Sequence, residues 1–218
     1  MNPTIELLKS HRSIRKFTDQ KIPRELLVEL VRAGQAAATS SHVQAYSVIH
    51  VKNPANREQI AELAGGQSYV ATASDFLVFC ADMKRPTEAS ERTGANVVRG
   101  MTEQLLVASI DAALMAQNVA IAAESEGLGI CYIAGIRHNP QAISDLLKLP
   151  EHVTRYSACA LATLPMNRIS SRAYRWKRSS RRITTATIAS WSGPSTTLCR
   201  PTTANGAAET RTPPGRKT

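Results

Sequence analysis

Apolar and polar positions alternate in short units along the first two-thirds of the chain, and the residues between them predict helices and strands in turn. Asn2-Pro3 opens a helix that ends near Ser10, and Pro23 opens another through Leu26, Leu27, Leu30 and Val31 to about Ala38. Proline suits the first helical position because the N–H it lacks would have no partner there. Ser47 to Val51 reads as a strand, and Asn53-Pro54 begins a helix to Leu63 that Gly65-Gly66 closes, glycine taking the left-handed turn that ends a helix. The run Phe76-Leu77-Val78-Phe79-Cys80 is apolar throughout, the mark of a strand covered on both faces. After a polar stretch from Asp82 to Arg99, the Ala-, Leu- and Val-rich segment Met101 to Glu126 predicts a long helix buried on most sides, the spine of a dimer interface. Ile130 to Ile133 is a further short strand, and Asn139-Pro140 opens a helix through Ile143, Leu146 and Leu147 to Leu149-Pro150.

From Thr154 onward this logic stops. The tail holds six Leu, Ile or Val residues in 65 positions and shows neither helical nor strand period, too little apolar surface to offset its ordering entropy. The expected division is therefore an incomplete folded domain at 1–153 and a basic tail at 154–218, either disordered or translated out of frame. Shifting each codon by one base permits Thr154 to Ser180 to be re-read as a buried strand, a Gly-Tyr-Pro turn and a segment containing Lys-Pro-Arg. Met166 and Trp176, which have single codons, force two Glu residues in that re-reading; the other positions are choices among degenerate codons.

Charge sharpens the division. Residues 1–153 carry 15 Lys+Arg against 16 Asp+Glu, a balance of −1, whereas residues 154–218 carry 12 basic residues and the single acid Glu209, a balance of +11. The overall +10 would ordinarily suggest a nucleic-acid or anionic partner, but all of the excess sits in the tail. Cys80, Cys131, Cys159 and Cys199 form no C-x-x-C pair and the five histidines no H-E-x-x-H pair, so the expectation is buried thiols and no metal site. The start lacks the basic and then apolar regions of a secretory signal, and no unbroken run of about 18 apolar residues occurs; the expected compartment is the cytoplasm, with no membrane partner.

Four constellations could carry chemistry. His11-Arg12-Ser13-Ile14-Arg15 places two guanidinium groups three positions apart with a hydroxyl and an imidazole, a set able to wrap a phosphate dianion or simply to form a solvated basic turn. Thr39-Ser40-Ser41-His42-Val43-Gln44 offers consecutive hydroxyls and a carboxamide for a ligand rich in donors and acceptors, or an ordinary polar loop. Gly65-Gly66-Gln67 is either a helix cap and turn or a ligand-facing amide. Gly127 to Gly135 is a helix end, a strand and a small-residue turn; its G-x-G precedes a strand, so it is no dinucleotide fingerprint, and the chain has no P-loop.

Taken in order, the start PTIELLKSHRSIRKFTD, the GGQ turn, the FCAD strand end, EQLL…DAALMAQN…AAESEGLG, YIAGIRHN and LLKLP resemble the nitroreductase family across residues 3–153. The match is nearest the oxygen-insensitive, NADPH-preferring nitroreductase and flavin reductase branch. The resemblance implies an α+β fold with a central, mainly antiparallel sheet flanked by helices. It also implies a homodimer with one FMN at each subunit interface, reduced by NADPH and oxidised by a nitroaromatic, quinone or free flavin. Carried over by position, His11, Arg12, Ser13 and Arg15 hold the FMN phosphate. Thr39, Ser40, Ser41, Gln44 and Gln67 lie near the ribityl chain and ring, and Tyr132, Ile133, Ala134 and Gly135 form the turn beside the isoalloxazine, Ala134 standing where close relatives more often have Gly. No side chain need act as a catalytic nucleophile, since the flavin carries the chemistry.

One departure bears on binding. The family pattern has Lys-Pro-Arg after the strand that begins near Thr154, where this chain has Ser, Arg and Ala around Ser170 to Ala173. Two lost charge-assisted contacts, at roughly 1.5–3 kcal/mol each, would weaken FMN binding by several powers of ten. Two other classes stand beside the oxidoreductase: a nucleic-acid binder using Arg172, Arg175, Lys177, Arg178, Arg181 and Arg182 with Tyr174 and Trp176 between them, and a non-catalytic remnant that folds poorly.

Overall fold

Two-residue alternation builds the centre of the molecule. The computed structural model describes residues 2–164. Their elements in order are α1 (Pro3–Ser10), α2 (Arg24–Gln35), β1 (Tyr46–His50), α3 (Pro54–Leu63), α4 (Tyr69–Thr72), β2 (Asp75–Asp82), α5 (Lys84–Arg92), α6 (Thr102–Ser125), β3 (Leu128–Ile133), α7 (Pro140–Leu146) and β4 (Val153–Thr163), with single 3-10 turns at Ser40–His42 and Ala134–Arg137. The sheet order is β1-β2-β4-β3, every pair antiparallel.

Leu77 and Phe79 of β2, with Cys159 and Leu161 of β4, point to one layer, where Leu27 and Leu30 of α2 and Ala112, Met115, Ala116 and Val119 of α6 close over them. Phe76, Val78 and Cys80, with Ala158 and Ala160, point to the other, against Ile60 of α3, Ala64 just after it, Val70 of α4 and Ile143 of α7. All eight residues of β2 are buried; the six between Asp75 and Asp82 are apolar, as suits a strand covered by helical layers on both faces. The layers are close. A Cβ on Gly34 of α2 would sit 2.6 Å from Val119 Cγ2 and 2.7 Å from Met115 Cε.

Asn2 and Asn53 cap α1 and α3 through their side chains, as the Asn-Pro pairs predict. Three expectations need correction. The polar stretch after Asp82 contains α5, whose buried residue is Thr87; its sequence KRPTEASER has no large apolar residue to mark a buried face.

The helix expected to be buried on most sides, α6, is buried on one. Leu106, Ile110 and Leu114 form an exposed stripe one turn apart, with Leu105 and Met101 beside it. By length and hydropathy α6 could cross a membrane, but Ala108, Asp111, Met115, Val119 and Ala123 are buried along its inner face.

The ordered fold also continues past residue 153. β4 pairs with both β2 and β3, and Ser157 to Ala162 are buried. Its buried stretch from Ala158 to Ala162 is Ala and Cys with one Leu, so a count of large aliphatic residues over the whole tail conceals it. Small side chains suit an inner strand between two helical layers. Its start is less comfortable. Arg155 donates from Nη1 to Ser144 Oγ at 2.9 Å, yet its Nε is buried with no partner, and burial pushes the guanidinium pKa down. The rest of the tail, including Ser170 to Ala173 and the basic run from Arg172 to Arg182, lies outside the described residues.

Candidate functional site

The His11–Arg15 segment leaves α1 and runs beside β3. The Ile14 N–H donates to the Ile130 carbonyl at 2.8 Å, and farther along the Thr18 N–H donates to the Thr163 carbonyl at 3.2 Å. This pinning makes alternate residues diverge: Ile14 turns toward Gly129, where an added Cβ would meet it at 3.0 Å, while Ser13 and Arg15 are exposed. His11 Nδ1 lies 2.7 Å from Glu124 Oε1 near the end of α6. Arg12 donates weakly to the Ser10 carbonyl at 3.4 Å and lines a recess of about 90 Å³ with Ser10, Glu124 and Gly127. The Arg15 guanidinium sits over the Tyr69 ring, 6.0 Å from its centroid, and the Tyr69 hydroxyl and then the Cys131 thiol hold its pKa above the ordinary value.

The third and fourth constellations meet the first at this point. Gln67 Nε2 donates to the Ala64 carbonyl at 2.7 Å, and Gln67 Oε1 accepts from the Tyr69 hydroxyl. The amide is thus held from both ends and lies against the loop. A Cβ on Gly135 would fall 2.3 Å from the Ala64 carbonyl oxygen and 2.8 Å from Gln67 Nε2, so glycine is required for the turn after β3 to approach this loop. Arg57, buried on α3, donates to the Val70 carbonyl from Nε and Nη2 at 3.0 and 2.9 Å and to the Ala73 carbonyl, fixing α4 and with it Tyr69.

Within the fourth constellation the residues divide. Ile133 is fully buried and can offer a ligand only its backbone. Tyr132 packs on the α2–α6 layer, burial pushing its phenol pKa well up. Ala134 is exposed and Gly135 buried. Cys131 lies beneath Arg15 and beside Ser13; burial raises its thiol pKa, and Arg15, Tyr69 and Ser13 offset part of that.

The second constellation lies elsewhere. Thr39 to Gln44 leads into β1, the edge strand opposite β3, and its hydrogen bonds run to Asp111 of α6 and within the loop. Ser41, His42 and Gln44 have φ of 47°, 57° and 51°, a left-handed region uncommon for residues other than Gly and costly to hold. The buried Asp111 carboxylate holds them. It accepts from the Ser40 N–H at 3.0 Å through Oδ1 and from the Ala45 N–H at 3.1 Å through Oδ2, while Thr39 Oγ1 accepts from the Gln44 N–H at 3.4 Å.

Asp111, Tyr69 and Arg57 are absent from the sequence expectation. A signal exists for two of them: Asp111 is the lone acid inside the apolar span of α6, and Tyr69 is an aromatic two positions after the GGQ turn. Arg57 gives none.

Chemically, the first cluster suits a phosphomonoester. Arg12 and Arg15 have no carboxylate partner among the described residues, a serine hydroxyl lies between them, and a small-residue turn closes up beside them. The recess beside Arg12, about 90 Å³, is too small for a planar ligand of several rings. A cavity of about 530 Å³ lies between α2 and the β1–β2 edge, lined by Leu27, Val31, Val48, His50, Asp75 and Leu77 among others; none of the predicted site residues lines it. Among the described residues no group of three His, Cys, Asp or Glu could hold a metal.

Comparison with known proteins matches residues 8–162 to the model of the nitroreductase family. The FMN reductase (NADPH) of Bacillus subtilis is 49% identical over 155 residues, covering 70% of this chain and 62% of that protein. The oxygen-insensitive NADPH nitroreductase of Salmonella typhimurium is 44% identical over 153 residues, with the same 70% and 62% coverage. Among solved structures, the NfrA1 nitroreductase from B. subtilis superposes with a TM-score of 0.74 at 41% identity, covering 86% of this chain and 78% of that one. The chain thus spans about 62% of the length of the curated relatives it matches.

Proposed function

The chain belongs to the nitroreductase family, and from that premise we propose that it is an NADPH-dependent FMN oxidoreductase reducing nitroaromatics, quinones or free flavin. The observation that carries this reading is the cluster at the edge of β3: two guanidinium groups without carboxylate partners among the described residues, Ser13 between them, and the Gly135 turn packed on the Gln67 loop. Bound FMN would supply the redox chemistry, accepting a hydride from NADPH and passing two electrons to the acceptor. The protein's part is to bind and orient. Arg12, Arg15 and Ser13 meet the phosphate, and the His11–Glu124 contact ties their segment to the end of α6. Backbone from Ile133 to Gly135 borders the ring.

A second copy of the chain completes the site in this reading. Thr39–Gln44 sits at the opposite edge of the sheet from Arg12 and Arg15, so a single chain keeps the two halves apart. The uncovered stripe Leu106, Ile110 and Leu114, with Ile5 and Leu8 also exposed on α1, is an apolar surface of the kind that marks a subunit contact. We place the protein in the cytoplasm. The nucleic-acid alternative rests wholly on the tail beyond the described residues, and no observation favours it.

Purified protein loaded with FMN should be yellow, should bleach on adding NADPH under nitrogen, and should recover colour when a quinone or nitroaromatic is added. A preparation that takes up no flavin would refute the reading for this chain and leave the non-catalytic remnant in its place.

A further inference from the structure

We propose that Tyr69 is a positioning residue for the phosphate end of the flavin, its ring carrying Arg15 and its hydroxyl holding Gln67. The inference deepens the flavin reading and rests on it. Tyr69 opens α4, and the four-residue helix is fixed by the buried guanidinium of Arg57, which takes the Val70 and Ala73 carbonyls. The phenol therefore projects from a rigid base. Its face supports the Arg15 guanidinium, 6.0 Å away, and its hydroxyl donates to Gln67 Oε1, the amide's other end donating to the Ala64 carbonyl at 2.7 Å.

Arg15 is exposed and lacks a carboxylate partner among the described residues, so without the ring its long side chain would sample many rotamers. Ordering it in advance removes an entropy cost from phosphate binding. The cation lies on the negative face of the aromatic, and this attraction strengthens as water is excluded. The hydroxyl also meets the guanidinium, and its bond to Gln67 Oε1 holds the phenol in place beneath Arg15, while the amide against which Gly135 packs keeps its own bond to the Ala64 carbonyl.

The test compares FMN with riboflavin, which lacks the phosphate, by fluorescence titration of apo-protein. Tyr69→Leu should weaken FMN about tenfold while leaving riboflavin affinity within about twofold. Tyr69→Phe, which keeps the ring over Arg15 but loses the hydroxyl beside it, should restore part of the FMN affinity. In an Arg15→Met background, Tyr69→Leu should have no further effect on FMN, since the group it positions is gone. Should Tyr69→Leu fail to fold, Tyr69→Met carries the same comparison.

Equal losses for FMN and riboflavin, a Tyr69→Phe variant as weak as Tyr69→Leu, or additive losses in the Arg15→Met background would each overturn the assignment while the flavin reading stood. Wild-type protein that binds neither flavin would remove the flavin reading and this inference with it.

Discussion

Replacing Asp111 tests how the left-handed loop before β1 is held. The carboxylate is wholly buried on α6 and takes two backbone donors, Ser40 N–H at 3.0 Å and Ala45 N–H at 3.1 Å. Each charge-assisted bond is worth about 1.5–3 kcal/mol. The two donors fare differently once the carboxylate is removed. Ser40 is exposed and its N–H can turn to water, whereas Ala45 is fully buried and its N–H would be left unpaired at about 1–3 kcal/mol. Asp111→Ala should therefore cost about 3–4 kcal/mol of unfolding free energy. Asp111→Asn keeps one acceptor oxygen and should cost about 1–2 kcal/mol. With the carboxylate gone, Ser41, His42 and Gln44 have little to hold them at positive φ, and the loop should relax. Urea denaturation measures the first effect and limited proteolysis between Thr39 and Gln44 the second. An Asp111→Ala protein with the wild-type midpoint and an uncut loop would refute the reasoning.

Three further outcomes rest on particular contacts. Gly135→Ala places a methyl group 2.3 Å from the Ala64 carbonyl oxygen; since that neighbour is backbone, the change should cost about 1–3 kcal/mol and loosen Gln67, read as a lower thermal midpoint. Arg155→Met removes a buried Nε without a partner and should raise stability by about 1 kcal/mol in urea unfolding; a loss of stability would show that the Ser144 contact outweighs the orphaned group. The Cys80 thiol pKa is raised from 9.0 to about 12, chiefly by burial and then by Asp82. Below the lower value the thiol is protonated both folded and unfolded. Between the two values the unfolded thiol ionises while the folded one keeps its proton, so stability falls as pH rises, by about 1.4 kcal/mol per pH unit. Cys80→Ala should show a shallower alkaline decline than the parent, measured by denaturation across that window.

Legibility in the sequence follows apolar periodicity and punctuation. The run at Phe76–Cys80 is readable because both of its faces are covered by large apolar residues, and α1 and α3 because asparagine and proline mark their starts. β4 is concealed because its inward residues are Ala158, Cys159, Ala160 and Ala162, whose smallness is what an inner strand between two layers can use and what composition discounts. α5 escapes notice because it buries little beyond Thr87. At the site, the convergence of Arg15, Gln67 and Gly135 is expected from the resemblance, but Tyr69, the residue that joins them, is not among the motifs that carry it. Nor does the pattern show that Thr39–Gln44 lies at the far edge of the sheet, since strand order is set by long-range pairing that local sequence does not encode.

The central claim is that two copies of this chain hold FMN between them, Arg12 and Arg15 at its phosphate. Size-exclusion chromatography with light scattering and visible flavin absorbance, run on FMN-saturated protein, tests it most directly. A flavin-bearing peak of two-chain mass with one flavin per chain, reduced to colourless protein by Arg12→Met and Arg15→Met together, is the predicted result. A colourless wild-type peak, or flavin on a species of single-chain mass, would contradict it.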